Sequence, residues 1–195
     1  MSAAAIPKIA LFARYPTPGE AKTRLIPALG AEGAARVHRR LVERTIVTIR
    51  ESGVPFALWF TGASRAEFAA WLGEDVELVE QGEGDLGERL SRVPVPAILL
   101  GADVPGLSAQ CLRQAVQGLK ANDVVVGPAF DGGYYLLGFN RPVPFLFSDM
   151  AWGGEAVFEE TMARLGDHGL GALKLEALGD CDRPEDLELH PELLG

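Results

Sequence analysis

"FARYPTPGEAKTRL", residues 12–25, hands a short apolar run over to a helix, and the way it is read decides the fold. A Walker A loop carries its lysine directly after its second glycine. Here Glu20 and Ala21 separate Gly19 from Lys22, so the match to an ATP-binding P-loop fails. The run that leads in, "KIALFA" over residues 8–13, reads as a buried strand that ends in a turn rich in Pro16, Pro18 and Gly19. Backbone N–H groups at the start of the following helix, together with Arg14, Lys22 and Arg24, suit a di- or triphosphate. The same cluster can also be read as a solvated basic turn.

Working outward, apolar runs alternate with helical patterns along the whole chain. "GAARVHRRLVERTIVTIR", residues 33–50, puts Val37, Leu41, Thr45 and Thr48 near one stripe, with Ile46 and Ile49 beside it and Gly53 as a stop. "PFALWFTG" is a strand, and "SRAEFAAWLG" a helix whose Ser64 and Glu67 have capping-box spacing. "VELVEQ" and "PAILLGAD" read as strands, and a helix capped by Ser108 follows the second. "DVVVGPAFDGGYYLLGF" predicts a hairpin turning at Asp131-Gly132. A helix from Glu155 to about Leu165, a strand "LKLEAL" and a last helix near "DRPEDL" complete the series. Strands alternating with helices predict a single α/β domain over residues 1–195: a three-layer α/β/α sandwich around a mostly parallel mixed sheet, with one antiparallel hairpin strand. In such sheets ligands bind beyond the carboxyl ends of the strands.

Composition narrows the partners. With 18 Lys and Arg against 27 Asp and Glu, the net charge of −9 argues against nucleic acid or anionic membranes as ligands, and an anionic small molecule would need a local basic site. "MSAAAIPK" has no basic leader pattern and no window reaches the length of a membrane span, so a soluble cytoplasmic protein is expected. Cys111 and Cys181 fit no C-x-x-C pattern and read as reduced structural thiols; His38, His168 and His190 form no H-x-x-x-H pair and read as surface or helix residues.

Several polar residues stand at the expected carboxyl edge. Asp103, after the strand "AILLGA", is placed to hold magnesium or manganese, or else to make an Asx-turn. Asp180 and Asp182 have alternate spacing that can point both carboxylates one way, while Asp182 with Glu185 also reads as a helix cap. Asp131 with Gly132 and Gly133 is either a plain tight turn or a place where a substrate approaches the backbone and Asp131 accepts a hydroxyl proton. "QGEGDLGERL", residues 81–90 with Gly84 and Asp85, encloses a base or is a flexible connector. Trp152-Gly153-Gly154 covers an acceptor pocket or anchors the core.

Taken in order, "FARYPTPGEAKTRL", "QGEGDLGERL", "LLGADVPGL", "GPAFDGGYYLLGF" and "DCDRPEDL" resemble the small bacterial glycosyltransferase-like proteins of GT-A nucleotide-diphospho-sugar transferase fold, the radical-SAM and selenodomain-associated transferase 1 type. These are similar to the phospholactate and phosphoenolpyruvate guanylyltransferases and, more distantly, to the molybdenum-cofactor guanylyltransferase. The resemblance runs from residue 8 to about residue 190. It implies phosphate binding by Lys22 and Arg24 and metal binding by Asp103, Asp180 and Asp182; Arg14, Gly19, Gly84 and Asp85 are expected beside them around the nucleotide. Two positions depart from the pattern: Arg14 stands where relatives carry Lys, and Gly153-Gly154 replaces hydroxyl residues after the Trp.

The expectation is a transferase that uses Mg2+ or Mn2+, a nucleotide-diphospho-sugar donor and a small-molecule acceptor. Lys22 and Arg24 would neutralise the leaving group, with Asp131 as the acceptor's base. The alternatives are a nucleotidyltransferase releasing pyrophosphate and a nucleotide-binding module without turnover. Oligomeric state, including a homo-oligomer, is left open by the sequence.

Overall fold

Each apolar run divides its side chains between the two faces of one sheet, because successive Cβ atoms in a strand point to opposite sides. The computed structural model describes residues 6–194; the opening MSAAA, part of the stretch read for a leader, and Gly195 lie outside the described residues. The strands are β1 (Lys8–Arg14), β2 (Phe56–Thr61), β3 (Leu78–Glu80), β4 (Ala97–Gly101), β5 (Val124–Pro128), β6 (Tyr134–Phe139) and β7 (Ala172–Lys174). They form a seven-stranded sheet in the order β3-β2-β1-β4-β6-β5-β7. Strand β6 runs antiparallel to β4 and β5, and the other pairings are parallel.

Helices cover both faces, as the sandwich requires. Ile9, Leu11, Ile98 and Leu100 pack with Ile46 and Ile49 of α1 (Ile26–Ser52), Phe68 of α2 (Arg65–Leu72) and Leu112 of α4 (Ala109–Gly118). On the other face Ala10, Leu99 and Val124 meet Leu90 of α3 (Leu86–Ser91) and Leu165 of α5 (Val157–Asp167). A third cluster joins the start of α1 to the end of the chain, where Leu25, Val37 and Leu41 bury Cys181 and Leu187 of α6 (Pro184–Leu189). Among the described residues no helix is long and apolar enough to cross a membrane.

The local signals hold at most boundaries. Ser64 and Glu67 form the capping box of α2, Ser108 accepts from the Cys111 N–H, and Gly53 closes α1 in the left-handed region at φ 74°. Four readings are corrected. Helix α1 begins at Ile26 and kinks at Gly30 (φ 70°, ψ 167°), because Pro27 is tolerated in a first turn while Gly30 breaks the pattern. Within "QGEGDLGERL" lies α3, where Asp85 and Glu88 make a second capping box; its six residues are too short to show a helical period. Strand β7 stops at Lys174, and Leu178 rejoins the sheet edge only by a single bridge to Ala129. Finally, Arg183 rather than Asp182 is the cap residue of α6, because Asp186 takes the N–H groups of both Asp182 and Arg183.

The aromatic cluster under α2 gives the sharpest test of the core. Phe68 is fully buried, with ring centroids 5.2 Å from Tyr15, 5.0 Å from Phe60 and 5.7 Å from Trp71. Phe68→Ala is expected to lower the unfolding free energy by about 3–5 kcal/mol in urea titrations. Phe130, 75% exposed, should cost no more than about 0.5 kcal/mol on the same change.

Candidate functional site

The carboxyl ends of the parallel strands open on a polar cleft of about 570 Å³, lined by Arg14, Lys22, Arg24, His38, Asp103, Asp131 and Asp182 among others. Three segments distant in sequence meet there because backbone bonds tie their ends. Tyr15 N–H donates to Thr61 O at 2.9 Å, holding the turn after β1 against β2. Cys181 N–H donates to Asp103 O at 2.8 Å and so sets Asp182 beside the loop after β4. Phe130 N–H donates to Leu178 O at 3.1 Å, bringing the β5–β6 hairpin to the same place.

Lys22 is the centre of this arrangement. It adopts the left-handed conformation (φ 47°, ψ 49°), which a residue with a Cβ enters only at a cost and which is concentrated at functional positions. That backbone turns the side chain inward, where it is 6% exposed, with Nζ 2.5 Å from Asp182 Oδ1 and 3.4 Å from Asp103 Oδ2. Burial by itself would lower the pKa of the Lys22 ammonium. The charges of Asp103 and Asp182 outweigh burial, and the net shift is upward. Asp103 mirrors it: burial would raise its pKa, but Lys22 and hydrogen bonds to the carboxylate bring it below the usual value. Arg24, 65% exposed, reaches Asp182 Oδ2 at 3.2 Å from the solvent side. Arg14 pairs with Glu20 at the rim.

His38 is the residue sequence reasoning missed. Its Nε2–H donates to Arg14 O at 2.9 Å, a direction fixed by the carbonyl's being an acceptor only. Burial lowers its pKa, so the ring is neutral at neutral pH and serves as a peg under the turn after β1. The signal was in the helix: Ala34, His38 and Val42 recur at intervals of four, and both neighbours are fully buried.

The remaining expected residues sit as follows. Asp131 tops the hairpin, its Oδ1 accepting from Gly133 N–H at 2.9 Å. Gly132 is required there, since at φ 89° an added Cβ would lie 2.0 Å from the Glu155 carbonyl oxygen. Asp180 lies beside the cleft without lining it; burial and then the charges of Asp182, Asp131 and Asp103 push its pKa up. Gly19, Gly84 and Asp85 line neither this cleft nor the cavity beside it, and the Asp85 carboxylate is spent on capping α3. Both cysteines are free thiols, and burial pushes Cys181 up to about 11.

Among the described residues no three His, Cys, Asp or Glu side chains converge as a ready metal centre, and Lys22 occupies the place between Asp103 and Asp182. The donor chemistry nevertheless suits magnesium or manganese, which take carboxylate oxygens and often only one or two of them. Asp180, whose pKa is raised first by burial and then by the charges of Asp182, Asp131 and Asp103, adds a third carboxylate beside this pair.

Beside the cleft lies a second cavity of about 260 Å³ that shares Phe12, Gly101, Asp131 and Gly153 with it and is otherwise largely apolar. Trp152 lines this cavity and also packs on the core.

This strand order, with a cation and carboxylate cleft at the carboxyl edge, is the GT-A-like fold of nucleotide-diphospho-sugar transferases and nucleotidyltransferases. Within that class the chain belongs to DUF2064, described as an uncharacterized protein family conserved in bacteria, whose model matches residues 45–154. A candidate nucleotide-diphospho-sugar transferase from Desulfovibrio desulfuricans G20 is similar at 29% identity and a TM-score of 0.89, with 95% of this chain and 86% of that chain covered. A nucleotidyl transferase from Methanothermobacter shares the fold at 18% identity and a TM-score of 0.62, covering 97% and 99% of the two chains. The Mycobacterium tuberculosis glucosyl-3-phosphoglycerate synthase, in complex with Mg2+ and uridine diphosphate, shares it at 12% identity and a TM-score of 0.56, covering 93% and 73%. No curated protein matches the chain.

Lys22 and Arg24 should differ sharply as anchors. Lys22→Met leaves two partly buried carboxylates facing each other and is expected to cost about 1–3 kcal/mol in chemical denaturation. Arg24→Met removes an exposed contact and is expected to cost about 0–1 kcal/mol.

Proposed function

We propose that the chain is a glycosyltransferase that uses a divalent metal and a nucleotide-diphospho-sugar donor, binding the diphosphate in the cleft at Lys22. The observation that carries this reading is the Lys22 ammonium itself, buried in a strained backbone conformation at a cleft whose rim adds Arg14 and Arg24. Strain of this kind persists where the surroundings over-determine it, and a cation lining an open cleft is suited to phosphate oxygens. The fold supports it further, since a neighbour of the same architecture holds Mg2+ with uridine diphosphate.

On this reading Lys22 turns from Asp103 and Asp182 toward the diphosphate, and Arg24 follows it from the solvent side. Both then neutralise the charge that develops on the nucleoside diphosphate as it leaves. Asp103 and Asp182, with Asp180 beside them, would hold Mg2+ or Mn2+, which supplies further neutralisation of the diphosphate oxygens. His38 keeps the turn after β1 in register with the cleft. Asp131, on the wall between cleft and cavity, takes the proton of an acceptor hydroxyl. Nucleotidyl transfer would use the same cations with pyrophosphate leaving, but its phosphate acceptor would need a second cationic subsite. The cavity next to Asp131 has none among its described lining residues, which favours a hydroxyl acceptor.

Asp103→Asn removes one carboxylate charge while keeping the shape of the loop. Calorimetric titration of nucleoside diphosphates with Mg2+ present is expected to show affinity at least about 10-fold weaker than in the unchanged protein, with the difference vanishing in a chelator. Equal affinity with Mg2+ present would overturn the metal assignment.

A further inference from the structure

The cavity beside the cleft has a chemistry of its own, and we propose that it is the acceptor site for an uncharged, largely apolar ring bearing a hydroxyl group, an aryl or alicyclic alcohol. This rests on the glycosyl-transfer reading above and names the substrate class of the same site.

Size, polarity and rigidity all point this way. At about 260 Å³ the cavity has room for a single ring with a substituent, since an engineered apolar cavity of about 150 Å³ accepts benzene. Its walls are Leu86 and Leu90 of α3, Leu99 of β4, Tyr134 and Trp152, and Asp131 is the only charged side chain among the described residues that line it. A phosphate or carboxylate on the acceptor would be stripped of water with no counter-charge and set beside Asp131. A carbohydrate would bring several hydroxyls to a wall with few partners to offer, and hydrogen bonds left unmade against that wall are costly. An apolar ring with one hydroxyl meets neither penalty.

The walls are held in place before anything binds. Phe158 N–H donates to Gly132 O at 2.8 Å, pinning the start of α5 to the hairpin. Trp152 stands edge-on to Tyr134 with ring centroids 6.4 Å apart, and Gly87 leaves room for α3 against Trp152 and the Phe147 carbonyl, where an added Cβ would lie 2.3 Å from that oxygen. The Tyr134 hydroxyl is buried without a hydrogen-bond partner.

The step that follows is balanced within the two sites. The acceptor hydroxyl oxygen attacks the anomeric carbon of the donor and forms the new C–O bond. The bond from that carbon to the diphosphate oxygen breaks, and the nucleoside diphosphate departs with the electron pair toward Lys22 and Arg24. The hydroxyl proton passes to Asp131, whose Oδ2 has no donor among the described residues.

The test uses phenol, methyl glucoside and glycerol phosphate as probes, titrated into the whole chain by calorimetry, with uridine and guanosine diphosphates titrated separately with Mg2+. Leu86 lies at the mouth of the cavity, 42% exposed, so Leu86→Trp can plug it without repacking the core. Expected is binding of phenol alone of the three probes, weakened at least about 10-fold in Leu86→Trp, with nucleotide affinity the same in both. Leu86→Lys supplies the missing cation and should admit glycerol phosphate. Failure of phenol to bind, binding that the plug does not affect, or preference for glycerol phosphate or methyl glucoside in the unchanged protein would overturn the proposal. Phenol binding with no nucleotide bound by the chain would instead sink the glycosyl-transfer reading and the acceptor role with it, leaving a ring-binding cavity.

Discussion

The ion triad of Lys22, Asp103 and Asp182 is the constraint on which the site depends. Each member comes from a different segment, 81 and 160 residues from Lys22 along the chain, and each is brought in by backbone geometry before its charge acts. Lys22 is turned inward by left-handed backbone, Asp103 by the end of β4, and Asp182 by the bond from Cys181 N–H to Asp103 O. Removing the ammonium would leave the Asp103 and Asp182 carboxylates close together with Asp180 nearby, so the lysine holds the folded site together.

The sheet decides how the rest is divided. Side chains alternate across β1 and β4, so Ile9, Leu11, Ile98 and Leu100 support the face under α1, α2 and α4, while Phe12 and Leu99 look toward α3 and α5. The polar cleft therefore opens at the strand ends near α1, and the apolar cavity opens on the opposite face, with Asp131 and Gly153 on the boundary they share. Antiparallel β6 matters here, since its pairing with both β4 and β5 places the hairpin beside Asp103 and not at an outer edge.

Much of this was legible from residue order. The runs at β1, β2, β4 and β5 were long and apolar enough to read as buried strands, while Ser64, Ser108 and Gly53 marked helix ends and Asp131-Gly132 the hairpin turn by local chemistry that tertiary packing did not override. Helix α3 escaped because six residues, with Gly87 among them, show no period. Asp182 misled because its spacing suits a cap, while Asp186 captured the free N–H groups first. Within the site, the cationic turn and the acidic positions could be named singly. Their meeting at Lys22 depends on contacts across the sheet that no local pattern encodes, and His38 was hidden in a run of arginines that looks like a solvated face. The apolar cavity had no sequence signature, since its leucines and aromatics are indistinguishable from core.

On the proposed function, the cleft at Lys22 receives the diphosphate of a nucleotide with the help of a divalent cation. A thermal-unfolding panel of nucleoside diphosphates, nucleoside-diphosphate sugars and nucleoside triphosphates, each with and without Mg2+, tests it most directly. A ligand at about 100 times its dissociation constant adds about 2.7 kcal/mol to stability. For a chain of this size the account predicts a rise in Tm of about 5–10 °C with at least one nucleoside-diphosphate sugar, dependent on Mg2+. A panel in which no nucleotide shifts Tm at saturating concentration would contradict it.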